Sequence, residues 1–269
     1  MREKLEQYKQ YLINIHRSLV YYNFLNPFFK YLEKEQLEFS TLTKDQLAYY
    51  FKYTKYSPNA INNLIKACRN FCQYANIDNH PCFEIPLVKV VRKIIEYMTL
   101  EDIEKSIKYV ATYSKRFNSD KVACLLYFMF YTGVRKSEIV NLKRAKFDLE
   151  NCTVLIYEEK TKQEKIIPYP FSINDKLKAY FKSEPEELNA FNIKSKQIDY
   201  LFHNVISKYL GKKVKPHLTR HGCARYLQEQ GIPPTVVQKI LGHQNLATTL
   251  IYMTPDQRMI EESYRKKIK

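Results

Sequence analysis

An interruption near residue 80 limits what this chain can fold into more than any other feature. Apolar and aromatic residues recur at helical spacing through 5–15, 21–32, 47–53 and 61–74. Residues 77–95 then lose all periodicity and carry Asp78, Asn79, Pro81 and Pro86. A chain of 269 residues is long enough to bury two cores, and this stretch reads as the linker between them. The helix starts before it are marked. Thr43 can cap the third helix, Ser57-Pro58 supplies a cap and a first-turn proline, and Asn26-Pro27 is expected to begin or kink the second.

Beyond the break the pattern is mixed. Thr99-Leu100-Glu101-Asp102 reads as a helix start leading into 103–113, and the apolar run 122–131 as a buried helix. Residues 146–157 and 164–169 read as two strands of a small hairpin, joined by the charged segment 158–163. Helical periodicity resumes from Ile173, with Gly231, Pro233-Pro234 and Gly242 as helix ends and starts. The expected class is therefore mainly α, with a small antiparallel sheet in the second part.

Charge and thiols narrow the function. A net charge of +16 suits neutralisation of DNA phosphates, and most of the excess lies beyond residue 90. No run approaches the roughly 18 to 20 apolar residues of a spanning helix, and the N-terminus lacks the apolar core of a signal peptide, so the reading is cytoplasmic with no membrane partner. Six cysteines without secretory context read as reduced thiols. Cys68, Cys72, His80 and Cys82 form a loose group, but their spacing matches no common zinc pattern, and buried thiols packing as small apolar residues are the preferred reading, with no metal assigned.

Four segments carry candidate chemistry: Thr132-Gly133-Val134-Arg135-Lys136-Ser137-Glu138-Ile139, His217-Leu218-Thr219-Arg220-His221-Gly222, Leu241-Gly242-His243, and Tyr252 nine residues further on. Together, in this order, they closely resemble the signature boxes of the tyrosine recombinase or phage integrase family, the simple Xer-like recombinases in particular. The resemblance is strong over residues 95–265 and rests on helical content alone before that. It implies a two-domain C-shaped clamp, with a helical core-binding domain at 1–85 and a catalytic domain at 91–269.

Residue roles follow from the same resemblance, and the chemistry agrees with them. Attack on a phosphodiester builds negative charge on a five-coordinate phosphorus, which fixed cations and donors must meet in a reaction that uses neither metal nor nucleotide. Guanidinium stays protonated and offers paired donors, so Arg135 and Arg220 are the expected phosphate clamps. A tyrosine hydroxyl with its pKa near 10 needs a base. Tyr252 is the expected nucleophile, and His217 and His243 are the available imidazoles. By resemblance His217 is the general base and His243 a donor to a phosphate oxygen, although the sequence does not divide these roles. The family draws a proton for the leaving 5′ oxygen from a lysine on the hairpin. Lys160 matches that place best, eight residues before Pro168, with Lys162 and Lys165 as neighbouring candidates. Glu138 is expected to hold the first arginine box, and Lys136 and His221 have no assigned role.

The expected activity is site-specific DNA recombination through a 3′-phosphotyrosine. It would serve either dimer resolution or integration and excision of a mobile element. The expected partners are a double-stranded recombination site and further copies of the chain, as a tetramer on nucleoid DNA. A type IB topoisomerase and a catalytically silent DNA clamp are the rival readings. Ile260, Tyr264 and Ile268 mark an apolar stripe on a terminal helix, which by the same resemblance is expected to dock on a neighbouring subunit in the synaptic complex, with packing in cis on its own catalytic domain as the alternative.

Overall fold

The computed structural model describes residues 1–90, 96–113, 117–158, 162–183, 189–251, 261, 264 and 265. The chain divides into two compact units, Met1–Lys93 and Ile94–Lys269.

The described residues of unit 1 form four α-helices, α1 (Arg2–Asn14), α2 (Val20–Lys34), α3 (Lys44–Tyr53) and α4 (Pro58–Ala75), with single 3-10 turns at Phe39–Thr41 and Pro81–Phe83. The expected caps form. Thr43 closes a capping box with Gln46, and the Ser57 hydroxyl accepts from the Ala60 amide with Pro58 in the first turn. Helix α2 runs through Pro27 rather than beginning there. The core is aromatic: Tyr8, Phe28, Phe29, Phe39 and Phe71 interlock at ring separations of 5.1 to 6.3 Å. The stretch read as a linker is packed structure for its first part. Arg69 on α4 donates to the carbonyls of Cys82, Phe83 and Ile85, Asn62 exchanges bonds with the Val88 backbone, and His80 and Cys82 are buried. Three carbonyls held by one guanidinium need no periodic side-chain pattern, so hydropathy could not register them.

Unit 2 is mainly helical around a second core. Helices α5 (Leu100–Tyr113), α6 (Ser119–Thr132) and α7 (Lys136–Asn141) come first; α8 (Phe171–Ser183) and α9 (Ser195–Tyr200) follow the sheet. After α9 the chain continues through a π-helical turn, Leu201–Ile206, and α10 (Ser207–Leu210). It ends in α11 (His217–Glu229), α12 (Pro234–Leu241) and α13 (Leu246–Leu250). Helix α6 is apolar on nearly every face, as its sequence requires of a central helix, and packs against α5, α8 and α11.

The sheet differs from the expected hairpin in one respect. The long first strand is broken into β1 (Phe147–Asp148) and β2 (Thr153–Glu158), which pair antiparallel, with β3 (Gln163–Pro168) on the far side of β2. The Asp148 carboxylate accepts from the backbone amides of Glu150 and Asn151, and Cys152 takes a left-handed φ of 52°, so a side-chain-capped turn replaces continuous strand. The terminal helix expected after Tyr252 falls almost entirely outside the described residues.

The approach to α11 is close. The Met98 amide donates to the Leu218 carbonyl at 3.1 Å, and Gly222 lies so near that a Cβ there would overlap the Met98 carbonyl and stand 2.9 Å from the Phe130 ring. Gly222→Ala is therefore expected to destabilise unit 2 by about 1–3 kcal/mol, the range for overpacking a filled site. Urea denaturation followed by near-UV circular dichroism checks this, and an unchanged midpoint would refute the close approach.

Candidate functional site

Three chain segments meet where α6, α11 and α12 end or begin. Helix α6 stops at Gly133 in a left-handed cap, and Arg135 follows as the residue that opens α7. Arg220 projects from the first turns of α11 and is 3% exposed. One of its nitrogens donates to the Gly133 carbonyl at 2.8 Å and another to the Leu241 carbonyl. Arg135 donates to the Gly242 carbonyl at 3.3 Å, and Lys165 on β3 to the Ile240 carbonyl at 3.3 Å. Three successive carbonyls at the end of α12 thus receive three cations, which suits the negative end of a helix whose last carbonyls lack intrahelical partners.

Two buried carboxylates balance those cations. Glu138 accepts from the Arg135 guanidinium and its backbone amide, both at 2.7 Å. Glu158, whose side chain is 7% exposed, accepts at 2.8 Å from both Arg135 and Lys165. Burial alone would lower the Arg135 pKa, but Glu158 and Glu138 more than offset it and the value is raised. For Arg220 burial dominates, repulsion from Arg135 adds to it, and the pKa falls to about 10, still protonated at neutral pH. Burial also lowers that of Lys165, against the pull of Glu158.

The backbone at Gly242 is part of this arrangement. Its φ is +64°, and a Cβ there would collide with the Glu158 carboxylate and crowd the Lys165 ammonium. A side chain at 242 would therefore be strained by the backbone and would displace the carboxylate that pairs two cations.

The imidazoles sit around the arginines. His217 keeps an exposed edge, yet enough protein surrounds its ring for burial to lower its pKa, with further repulsion from Arg220 and Arg135. For His243, burial followed by the charges of Arg220, Arg135 and Lys165 brings the pKa to about 4. Both rings are therefore neutral at neutral pH. His243 Nδ1 lies 2.8 Å from the hydroxyl of Thr249, a fully buried residue of α13. His221 stacks edge-on against His217 with 4.4 Å between centroids. A cleft of about 240 Å³ opens beside them, lined by Arg135, Lys136, Asp199, His203, Lys215 and His217.

The structure thus brings together Arg135, His217, Arg220 and His243. Lys160 and Tyr252 lie outside the described residues, so their places are not compared. Of the other hairpin lysines, Lys162 is exposed at the turn with a φ of +57°, whereas Lys165 faces inward beside the arginines. Sequence reasoning did not single out Glu158, which it left in the charged tip between the strands. A signal was present: along β2, Val154, Ile156 and Glu158 alternate on the buried face, so the strand period carries the acid inward. Lys136, given no role, holds Asp199 at 2.8 Å on the cleft wall.

Comparison with known proteins shows the family of the chain. Residues 96–259 match the phage integrase family. The chain is 27% identical to the tyrosine recombinase XerA of Thermococcus kodakarensis over 207 residues, covering 73% of this chain and 71% of that protein. It is 24% identical to a tyrosine recombinase of Pseudothermotoga lettingae over 94% of both chains. Among solved structures, the Tn1549 transposon integrase bound to transposon right end DNA superposes with a TM-score of 0.77 at 16% identity, covering 98% of both chains.

The Glu158 carboxylate generates a direct test. Glu158→Gln keeps the shape but leaves Arg135 and Lys165 without their shared counter-charge, so a loss of about 3 kcal/mol is expected, as for breaking a buried pair. Urea unfolding of the variant at neutral pH measures it, and wild-type stability would show that the two cations do not depend on this acid.

Proposed function

Because the chain belongs to the phage integrase family and is a tyrosine-type site-specific recombinase, we propose that Tyr252 attacks a DNA phosphodiester at the site built by Arg135, His217, Arg220 and His243. The observation that carries this reading is the convergence of two guanidiniums and two neutral imidazoles from three separate segments on the end of α12.

In the proposed step the Tyr252 oxygen forms a bond to phosphorus and the bond to the 5′ oxygen breaks. His217, neutral because burial and the arginines disfavour its charged form, accepts the tyrosine proton. Arg135 and Arg220 face the charge that builds on the non-bridging oxygens, and His243 adds an N–H donor oriented through Thr249. Lys160 gives its proton to the departing 5′ oxygen. The product is a 3′-phosphotyrosine with a free 5′-hydroxyl. Attack by a hydroxyl from a partner duplex reverses the chemistry, and the ester retains the energy needed to rejoin. Residues 1–85 serve in this reading as the core-binding domain and 91–269 as the catalytic domain. Four copies assemble on two recombination sites, for resolution of dimers or movement of an element.

A second assignment has one observation behind it: among the described hairpin lysines, Lys165 lies beside the arginines. Its ammonium is held by Glu158 and the Ile240 carbonyl, which fits a holding role better than proton delivery.

Two experiments test the chemistry. With a nicked suicide substrate containing the recombination site, the wild type is expected to trap a covalent adduct on a denaturing gel, and Tyr252→Phe to bind the same DNA without forming one. An adduct from Tyr252→Phe would remove Tyr252 from its role, and plasmid relaxation by the wild type without recombinant products would favour a topoisomerase. With a 5′-bridging phosphorothioate, whose sulfur leaves without a proton, Lys160→Ala is expected to regain most of its lost cleavage. Rescue of Lys162→Ala or Lys165→Ala in its place would move the proton donor along the hairpin.

A further inference from the structure

The cysteines of the two units are arranged differently. In unit 2, Cys124 donates to the Lys176 carbonyl and Cys223 to the Tyr131 carbonyl. In unit 1 the cysteines gather. Cys72, near the end of α4, and His80 and Cys82, on the segment that follows, are all buried, and one donor atom from each lies within 4.8 Å of the others. Cys68 is one helical turn before Cys72 on the same buried face of α4.

We propose that Cys72, His80 and Cys82, with Cys68 as fourth ligand, bind one zinc ion that fastens the segment after α4 onto unit 1. The donor set is three thiolates and an imidazole, the soft and borderline ligands of closed structural zinc sites. The Cys72 and Cys82 sulfurs are 3.8 Å apart. Two zinc–sulfur bonds of about 2.3 Å at a tetrahedral angle subtend an edge of about 3.8 Å, so this pair already has the spacing that a shared ion imposes.

The histidine is oriented for the same purpose. Its ring stacks on Phe39 at 4.3 Å, and Nε2 lies 2.9 Å from the Phe39 carbonyl. With Nε2 donating there, Nδ1 carries the lone pair and faces the turn holding Cys82, where it accepts the Cys82 amide at 3.1 Å. A ligating imidazole whose other nitrogen donates to a backbone carbonyl has its tautomer and ring plane fixed in this way. Binding requires the ion to take that lone pair and Cys68 to turn its sulfur toward the same point. The spacing Cys-x3-Cys followed by His-x-Cys looked wrong as a motif because the ligands come from one helix face and one tight turn, and the Arg69 clasp brings them together.

The site lies wholly in unit 1 and uses no residue of the catalytic reading, so the two fail or stand separately. The test uses the full chain purified without chelator, with metal content measured by elemental mass spectrometry, followed by exchange into cobalt(II). One equivalent of zinc is expected, and cobalt should give intense visible bands of tetrahedral coordination with thiolate-to-cobalt absorption in the near ultraviolet. Cys72→Ser and His80→Ala are expected to lose those bands and Cys124→Ser to keep them. Since Cys72→Ser could fail to fold, the wild type supplies a second measurement: chelator should lower its melting temperature by several degrees and one equivalent of zinc restore it. Less than a tenth of an equivalent with no cobalt spectrum would overturn the site, as would bands that survive Cys72→Ser. A Cys72–Cys82 disulfide in peptide mapping of metal-free protein, with no cobalt uptake after reduction, would establish a redox pair in its place.

Discussion

The Arg220 guanidinium is the contact on which the rest of the site depends. It is a permanent charge at 3% exposure, and such burial is tolerable only where hydrogen-bond acceptors replace water. The replacements are backbone carbonyls: Gly133 at the end of α6 and Leu241 at the end of α12. Carbonyls at helix ends have lone pairs that the helix leaves unused, and several aligned peptide dipoles point their negative ends the same way. Arg220 therefore satisfies orphan acceptors of two helices at once, and in doing so fixes the distance between the segments that carry Arg135 and His243. Leaving the side chain out would strand both carbonyls and separate the segments.

Charge balance explains the acids beside it. Arg135, Arg220 and Lys165 crowd the end of α12, and the pKa of Arg220 is depressed first by burial and then by repulsion from Arg135. Glu138 and Glu158 offset part of it, leaving the group one charge positive before any contribution from the histidines. An excess of one charge, with guanidinium donors to spare, is well matched to an incoming phosphodiester. Full neutralisation by a third acid would have made the protein its own competitor for the phosphate. The pKa values of His217 and His243 are lowered first by burial and then by the same excess, because a fourth or fifth cation in this volume is disfavoured until an anion arrives.

Much of this could be read in the sequence, for identifiable reasons. Helices α1, α3 and α4 announced themselves through periodicity and the caps Thr43 and Ser57, since those signals are local. Arg135, His217, Arg220 and His243 were legible through their boxes, and the structure places them together. What escaped leaves no mark in hydropathy. The turn at Asp148 breaks a strand through a carboxylate bonding two amides, and the Arg69 clasp orders a stretch with no hydropathy pattern. Glu158 was hidden for a different reason: acids near a hairpin tip are usually solvated, and only its alternation with Val154 and Ile156 marks it as inward. Cys72, His80 and Cys82 were already seen as a group in the sequence, but their spacing gave no distances, and the fold of unit 1 is what puts one donor atom from each within 4.8 Å of the others.

His243 is tied to α13, the short helix that precedes Tyr252, the proposed nucleophile. Its ring meets the buried Thr249 hydroxyl across the short helix α13, whose N-terminus is capped by Asn245, and Tyr252 follows Thr249 by three residues in the chain. A five-residue helix has almost no intrinsic stability, so α13 depends on such tertiary anchors to hold its place. His243 thus has two partners to satisfy, a hydroxyl on one side and in the proposed reaction a phosphate oxygen on the other. An imidazole fixed through one nitrogen presents the other in a single direction, so anchoring α13 and orienting a phosphate become one geometric condition. In the proposed reaction, the segment that leads towards Tyr252 would therefore take its bearings from the same ring that faces the phosphate.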